Sequence, residues 1–465
     1  MTARRELRLN AFEMGAPGHT WAGLWRHPRD RSSAYNTLDY WVSLARTAER
    51  GLFDGVFLAD VLGTYDVYGG NGDTALARAA QAPNLDPFLV VPAMAQATAH
   101  LGFGITANLT YEHPYAFTRR VTTLDHLTGG RVGWNVVTGY LESGARGMGL
   151  AGARAHDERY EAGEDFLAAS YKLWEGSWED GAAVRDRGHG LFTRPERVHR
   201  IVHDGPYYRV DGRSLSEPSP QRTPVLYQAG TSSRGRRFAG RHAEAVFLNG
   251  HTKAVAARSV RAIREAAQAE GRDPRDILMF LGATVIVAPT RAEALDLCDE
   301  YARYINVEGQ LALVSGWTGI DLSTLRPDEA LAYVETNAMR SLVENLTGPG
   351  ERPFTRADFA EFGPRGARAP FVVGSPSEVA DELLAWAEAA DVDGFNLTRA
   401  VAPETLAAFV DLVVPELQSR GAYKTRYAEG TLREKLFPGG GPGLKATHPG
   451  AGFRHAAASH PASAA

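Results

Sequence analysis

The sequence has one cysteine, no long apolar run and no excess of charge of one sign. A single thiol, Cys298, allows no internal disulfide and suits a reducing compartment. No apolar run approaches the ~20 residues that a membrane helix needs, and the N-terminal residues MTARRELRLNAF lack the apolar core of a signal peptide. A net charge of −5 with both signs interspersed argues against a nucleic-acid or membrane surface. We therefore expect a cytoplasmic protein that binds neither nucleic acid nor membrane.

Several catalytic and nucleotide-binding motifs are also missing. The sequence contains no GxxxxGK[ST], and its densest glycine cluster, Gly439–Gly443, does not lie between a strand and a helix. This argues against a P-loop and against a site that binds a nicotinamide cofactor directly. No HExxH motif or carboxylate cluster favours a metal, and no GxSxG favours a serine nucleophile.

What the sequence does contain is a regular alternation of strands and helices. Apolar strand patterns, most of them followed by helical periodicity, cover residues 7–12, 53–59, 101–106, 132–137, 224–229, 245–248, 277–287 and 394–397. Such alternation implies parallel pairing and right-handed crossovers. Eight strands with about eight main helices predict an α/β fold, a TIM (β/α)8 barrel with insertions.

The domain organisation follows from where this regularity fails. We expect a single barrel domain over residues 1–437, with insertions at about 175–222 and 315–369. The first insertion contains a predicted β-hairpin around Asp204-Gly205. Residues 438–465, rich in Gly, Pro and Ala, predict a flexible tail.

Polar residues end several of the predicted strands. The stretch GRVGWNVVTGY runs from a buried strand into Asn135, Thr138 and Tyr140. Asp60 and Thr106 end two neighbouring strands in the same way. Barrel enzymes carry their chemistry at the C-terminal ends of the strands, so this pattern predicts a site there. For each residue alone, an ordinary loop start explains the pattern equally well.

A second candidate lies in QAGTSSRGRRFAG, from Gln228 to Gly240. A strand ends there, a glycine turns the chain, and a helix begins with hydroxyl side chains, an arrangement suited to a phosphate. The alternative to a phosphate site is that Ser or Thr only caps the N-terminus of the helix. His156 and Tyr160 lie four apart on a helix, so their side chains can reach one spot.

Longer motifs add a family resemblance. They are LADVLGTYDVY, TLDHLTGGRVGWNVVT, LWEGSWED and YQAGTSSRGR. With the sequence around them, from about Leu7 to Phe437, they resemble the bacterial luciferase-like flavin monooxygenases. The branch is that of nitrilotriacetate, dibenzothiophene-sulfone and long-chain-alkane monooxygenases, and the motifs are most similar to the long-chain alkane and dimethyl-sulfide enzymes.

The resemblance implies two-component chemistry on a TIM barrel. A separate NAD(P)H:FMN reductase would supply FMNH2, possibly by diffusion alone. This chain would react it with O2 and hold the C4a-hydroperoxyflavin until a small hydrophobic, aromatic or organosulfur substrate is oxygenated. The family also implies a homodimer or homotetramer.

Site residues carry over from the family by position. The implied FMN contacts are Asp60, Thr106, His156, Tyr160 and Ser232, with Asn135, Val137, Thr138 and Ser233 as neighbours. The turn Thr231–Ser233 would take the phosphate. His19, Tyr65 and Gln81 would lie on the substrate side and, together with Tyr140, are the candidate catalytic residues. Tyr140 and Leu313 stand where the alkane-type enzymes have histidines, so the resemblance leaves the substrate open.

Two other functions remain compatible with the same barrel. One is a deazaflavin-dependent oxidoreductase, which transfers hydride without O2. The other is a flavin-binding relative without catalytic activity. A monooxygenase takes up oxygen when its substrate is present, whereas the oxidoreductase and the non-catalytic protein do not, so this measurement distinguishes them.

Overall fold

The computed structural model describes residues 6–230, 232–331, 338–339, 354–362 and 369–455. The strands are β1 Arg8–Met14, β2 Gly55–Ala59, β3 Gly102–Asn108, β4 Val132–Val137, β5 Ala183–Asp186, β6 Leu191–Thr193, β7 Ile201–Asp204, β8 Arg209–Gly212, β9 Val225–Gln228, β10 Ala245–Leu248, β11 Leu278–Val287, β12 Phe371–Gly374 and β13 Gly394–Thr398.

Eight of these strands close into a parallel barrel. Their order is β10-β9-β4-β3-β2-β1-β13-β11, and β11 pairs back onto β10. β12 pairs with the C-terminal end of β11. The barrel strands coincide with the eight predicted ones, so the predicted TIM barrel is confirmed. Strands covered by helices are buried on both faces and therefore form long apolar runs in the sequence. These runs made the strands predictable.

Helices surround the barrel. They are α1 Leu38–Arg50, α2 Asp73–Ala77, α3 Val91–Gln96, α4 Pro114–Thr128, α5 Glu142–Gly147, α6 His156–Tyr171, α7 Ser233–His242, α8 Lys253–Ala269, α9 Arg291–Ala302, α10 Val307–Thr318, α11 Arg356–Phe362, α12 Pro376–Ala390, α13 Glu404–Ala408, α14 Val414–Ser419 and α15 Leu432–Leu436. A π-helical turn, Lys172–Gly176, extends α6, and another, Phe409–Val413, joins α13 to α14. In the described part of the chain, no helix has both the length and the apolar character to cross a membrane.

The first insertion contains two antiparallel hairpins. β5 pairs with β6, and β7 pairs with β8 on either side of the turn at Asp204-Gly205. The hairpin predicted at that turn is therefore present. Asp165 on α6 holds the turn, since its carboxylate accepts from His203 at 2.9 Å and from the backbone N–H of Tyr207 and Tyr208.

Helix α10 changes the boundary of the second insertion. The sequence predicts irregular structure from residue 315, but α10 runs from Val307 to Thr318 and is buried throughout residues 309–318. A helix that is apolar on every side lacks the amphipathic stripe that marks a surface helix. Much of the rest of 315–369 lies outside the described residues.

The segment after α15 packs on the barrel domain. His448 is buried and its Nε2 donates to the backbone oxygen of His242 at 2.8 Å. Tyr171 contacts the rings of His448 and Phe453. Residues 438–455 are therefore packed and are not the flexible tail that the sequence had led us to expect. A few large side chains anchor this Gly- and Pro-rich stretch. Residues 456–465 lie outside the described residues.

Candidate active site

A cavity opens at the C-terminal ends of the barrel strands. All eight strands contribute to its wall, through Met14, Asp60, Thr106, Val137, Ala229, Asn249, Thr284 and Thr398. Below it, aromatic rings fill the barrel: Phe12, Phe57 and Phe247 contact one another, and Tyr227 and Phe280 extend the cluster. The interior of the barrel is therefore a packed core and not a pore, and this cavity lies at its C-terminal end.

Asp60 follows β2 and lies in the cavity wall. Asn84 Nδ2 donates to its Oδ1 at 2.7 Å. Burial raises the pKa of the Asp60 carboxyl to about 6, and the bond from Asn84 only partly offsets this effect. At neutral pH the Asp60 carboxyl is therefore ionised, and burial of this charge destabilises the folded state.

This raised pKa predicts a pH-dependent stability. Because the folded-state pKa lies above the ordinary value of 3.8, the stability contribution of Asp60 is present at low pH and is lost as the pH rises through 6. We expect Asp60→Asn, which can still accept from Asn84, to raise the free energy of unfolding by about 2 kcal/mol at pH 8. Near pH 4 the difference between the variant and the original chain should be much smaller. Urea denaturation at both values measures this, and the same difference at both would contradict it.

Thr106 and Asn135 lie side by side on β3 and β4. They are paired in register, and Asn135 Nδ2 donates to Thr106 Oγ1 at 2.9 Å. Asn135 is 4% exposed, and its Oδ1 has no hydrogen-bond partner among the described residues. A buried amide oxygen without a partner, on a residue that lines a cavity, can accept from a ligand. Val137 lines the same cavity; Thr138 lies beside it, with its carbonyl oxygen bonded to Thr110.

A second cluster adjoins the cavity where β9 leads into α7. Ser232 caps α7, since its Oγ accepts from the Gly235 N–H at 3.1 Å, and it lies 3.4 Å from His156 Nε2. Burial raises the pKa of Tyr160, while a hydrogen bond with Ser232 acts in the opposite direction. His156, Tyr160 and Ser232 are thus brought together, whereas the side chain of Ser233 is exposed. Thr231 lies outside the described residues.

Two glycines let the backbone approach closely here. A Cβ on Gly230 would lie 2.4 Å from Gln228 Nε2 and 2.5 Å from Tyr160 Oη, and a Cβ on Gly235 would lie 2.8 Å from the same Tyr160 oxygen. The two glycines therefore let Tyr160 and Ser232 pack closely against the turn that leads into α7 and against its first turn. Helix N-termini of this kind favour an anion such as a phosphate.

The opposite side of the cavity holds a hydrogen-bonded chain. Gln81 Nε2 donates to the backbone oxygen of His19 at 3.0 Å, and Tyr65 Oη donates to Gln81 Oε1 at 2.7 Å. Tyr65 also lies 2.7 Å from Tyr140 Oη and accepts from Trp317 Nε1 at 3.2 Å. The four predicted substrate-side residues therefore lie together, and their catalytic role stays a prediction.

Four residues of the site were not expected from the sequence: Trp317, Asn84, Asn249 and Thr284. Asn249 follows the same rule as Asp60, since it comes directly after a barrel strand, and could have been found by it. Thr284 lies inside β11, three residues before the end of the strand, so the rule does not reach it. Trp317 lies on α10, in a region with no strand or helix pattern that points to the barrel mouth. Asn84 lies in an irregular loop, which offers no signal.

A larger cavity, of about 560 Å3, lies at the other end of the barrel beneath the C-terminal segment. Several of its charged groups are paired, such as Arg433 with Glu244 and Lys445 with Asp276. Residues at the N-terminal end of a TIM barrel serve stability, whereas active sites lie at the other end. The smaller cavity at the mouth is therefore the candidate active site.

The residues at the mouth fit a flavin mononucleotide. The unpaired Asn135 oxygen and the Asp60 carboxylate offer acceptors to a ring with N–H groups, and the glycine-containing turn into α7 directly follows Ala229 of the cavity wall. The N-terminus of α7 would hold the phosphate of such a cofactor, and Asp60 and Asn135 would accept from its ring.

Comparisons with known proteins agree with this fit. The luciferase-like monooxygenase family matches residues 20–393. The dimethyl-sulfide monooxygenase of Hyphomicrobium sulfonivorans is 46% identical over 97% of this chain and 95% of its own length. The long-chain alkane monooxygenase of Geobacillus thermodenitrificans is 45% identical over 97% of this chain and 98% of its own length.

Solved structures give the same result. A crystal structure of long-chain alkane monooxygenase superposes with a TM-score of 0.90 at 44% identity and covers 98% of this chain and 100% of its own. A riboflavin lyase crystallised with modified FMN and riboflavin has a TM-score of 0.91 at 39% identity, covering 97% of this chain and 100% of its own. The relatives are named monooxygenases, and their family implies a flavin cofactor. The chain belongs to the luciferase-like monooxygenase family.

Proposed function

We propose that this chain is the oxygenase component of a two-component, FMNH2-dependent monooxygenase. The observation that supports this most is the pairing of a glycine-lined helix N-terminus with an aromatic-floored cavity that carries an unpaired Asn135 oxygen. When bound, reduced FMN would supply the oxygen-activating chemistry, through a C4a-hydroperoxyflavin. A separate NAD(P)H:FMN reductase would provide the reduced cofactor.

The chain's own residues would bind and shield the cofactor. The α7 N-terminus with Ser232, His156 and Tyr160 would hold the phosphate, while Asp60, Thr106 and Asn135 would contact the ring. Helix α10 covers the substrate side with Trp317, which is 4% exposed, and so excludes water. Exclusion of water protects the oxygenating species until a substrate arrives.

A small hydrophobic, aromatic or organosulfur substrate suits the remaining space. Apolar and aromatic side chains dominate that part of the cavity wall: Trp21, Val314, Trp317, Met339 and Phe359. Relatives in the family are named for dimethyl sulfide, long-chain alkanes and dibenzothiophene sulfone. A panel of sulfides, sulfones, alkanes and simple aromatics therefore covers the expected range. We also propose that the chain forms a homodimer or homotetramer, as the family resemblance implies.

Oxygen uptake tests the function directly. The purified chain is mixed with each compound of the panel and supplied with FMNH2 from a reductase, and in parallel with a reduced deazaflavin. We expect substrate-dependent oxygen uptake and product with FMNH2 alone. Product only with the deazaflavin would support the oxidoreductase alternative, and no product with either would support a flavin-binding protein.

Ser232→Ala tests the phosphate position. We expect the variant to bind FMNH2 more weakly by about 1–2 kcal/mol, since a hydrogen bond to a charged group contributes that much. Thr290→Ala removes a comparable N-cap from α9 and is the matched control for loss of capping alone. Anaerobic titration measures both affinities, and equal affinities in the two variants would remove Ser232 from the phosphate site.

A further inference from the structure

A second cavity, the basal cavity, lies at the N-terminal end of the barrel and is not used by the proposed function. Its volume is about 560 Å3, which is within the range of sites that hold small organic molecules. Its wall combines the barrel domain with the first insertion, through residues 179–183 and 217–220, and with the C-terminal segment, through residues 440–445. Two segments that are not part of the barrel thus border a space of ligand size.

Arg272 lies in the wall of the basal cavity and uses only part of its guanidinium group. The residue is 5% exposed, and its Nη1 donates to the backbone oxygens of Gly240 at 3.1 Å and Ala243 at 2.7 Å. Nε and Nη2 have no hydrogen-bond partner in the described part of the chain. These two nitrogens form one edge of the guanidinium plane, and such an edge can bind both oxygens of a carboxylate.

The acidic residues of the wall do not pair with Arg272. Each has another cationic partner: Glu179 with Arg197 and His199, Asp180 with Arg222 and Arg454, Glu217 with Arg185, Glu244 with Arg433, and Asp276 with Lys445. Among the described residues, Arg272 is therefore a buried cation without a carboxylate in contact. The wall of the basal cavity accordingly carries a surplus of positive charge.

Burial of the Arg272 charge is unfavourable. It lowers the pKa of Arg272, and Glu244 and Asp276 offset this effect only in part, since each is paired with another cation. A carboxylate supplied by a ligand would contact Arg272 directly and would accept from its two unpartnered N–H groups.

The rest of the wall suits the carbon chain of such a ligand. Phe437 and Leu444 line the basal cavity near the C-terminus, and Ala182 and Pro218 line it from the first insertion. Apolar side chains of this kind stabilise a ligand by removing its apolar surface from water. An inorganic anion would leave this part of the wall without a contact.

We propose that the basal cavity is a second ligand site, which binds a small organic carboxylate with an apolar chain. The carboxylate pairs with the Nε–Nη2 edge of Arg272, and the chain packs on the apolar side chains that include Phe437 and Leu444. Because the first insertion and the C-terminal segment both border the site, bound ligand joins them to the barrel domain and stabilises the folded chain. The site does not depend on a cofactor at the barrel mouth.

Three probes separate the charge of the ligand from its chain. They are octanoate; 1-octanol, which has the same chain without the charge; and acetate, which has the charge without the chain. Binding is measured by calorimetry on the full-length chain at neutral pH, without FMN. We expect octanoate to bind about tenfold more tightly than either of the other two probes.

Three variants locate the site. Arg272→Gln should lower the octanoate affinity about tenfold and leave that of 1-octanol unchanged. Arg275→Gln is the matched control, because Arg275 lies on the same connection between α8 and β11, pairs with Asp391 and does not line the basal cavity. Phe437→Ala keeps the charge and should weaken octanoate and 1-octanol alike, by several-fold.

The inference is overturned if octanoate does not bind, if it binds no more tightly than 1-octanol or acetate, or if Arg275→Gln lowers its affinity as much as Arg272→Gln. Thermal melting first shows which variants are folded. If Arg272→Gln does not fold, Phe437→Ala decides, and an octanoate affinity equal to that of the original chain contradicts the site. Octanoate bound at the barrel mouth would be insensitive to both variants, which also contradicts it.

Discussion

Gly230→Val is expected to weaken FMNH2 binding by about a hundredfold. Even a single Cβ at this position would lie within 2.5 Å of Gln228 Nε2 and Tyr160 Oη. Valine adds two further methyl groups to a turn that has no room for one. Overpacking of this kind costs about 1–3 kcal/mol, and here it falls on the backbone that would face the phosphate.

The control for Gly230→Val is Gly452→Val. A Cβ on Gly452 meets nothing within 4 Å, so this variant adds the same side chain in open space, away from the barrel mouth. Anaerobic titration gives the FMNH2 affinity, and thermal melting reports whether each variant is folded. If a folded Gly230→Val chain bound FMNH2 as tightly as the control, the turn into α7 would have no part in the cofactor site.

Arg433→Met is expected to lower the free energy of unfolding by about 3–5 kcal/mol. Arg433 lies at the N-terminal end of the barrel, is 2% exposed, and holds both oxygens of Glu244 at 2.7 and 2.9 Å. It also donates to the backbone oxygens of Thr223 and Pro224. Methionine would leave Glu244 buried without its counter-charge, and the cost of a buried unpaired charge is large.

A double variant isolates the charge. Arg433→Met with Glu244→Gln removes both charges, and the glutamine can still accept from the Leu226 N–H that now bonds to Glu244. We expect the double variant to recover a substantial part of the lost stability in urea denaturation. Equal stability of the single and double variants would show that the bonds to backbone oxygens, and not the ion pair, account for the loss.

The barrel could be predicted because its strands carry their own signal. Strands such as Val132–Val137 and Leu278–Val287 are apolar over most of their length, with Asn135 and Thr284 as the polar exceptions, and glycine, proline or polar residues mark their ends. The hairpin at Asp204-Gly205 was predicted for a similar reason, since its turn and its alternating strands are adjacent in sequence. Local patterns of this kind do not depend on distant partners.

The substrate side could not be derived in the same way. Tyr65 bonds to Tyr140 and Trp317, which are 75 and 252 residues away. Spacing along the chain contains nothing about such contacts, and family resemblance supplied the positions of His19, Tyr65 and Gln81 without their bonds. The packing of the C-terminal segment was not predicted because amino-acid composition does not show that a single side chain such as His448 is buried against the barrel domain.

The central claim is that one atom of O2 enters the substrate at the mouth of this barrel. The direct measurement is mass spectrometry of the product formed from the best substrate of the panel under 18O2, with the chain, FMN, NADH and a reductase. We predict one 18O atom in each product molecule, and none when the label is supplied as H218O instead. A product that carries oxygen from water, or no new oxygen, would contradict the account.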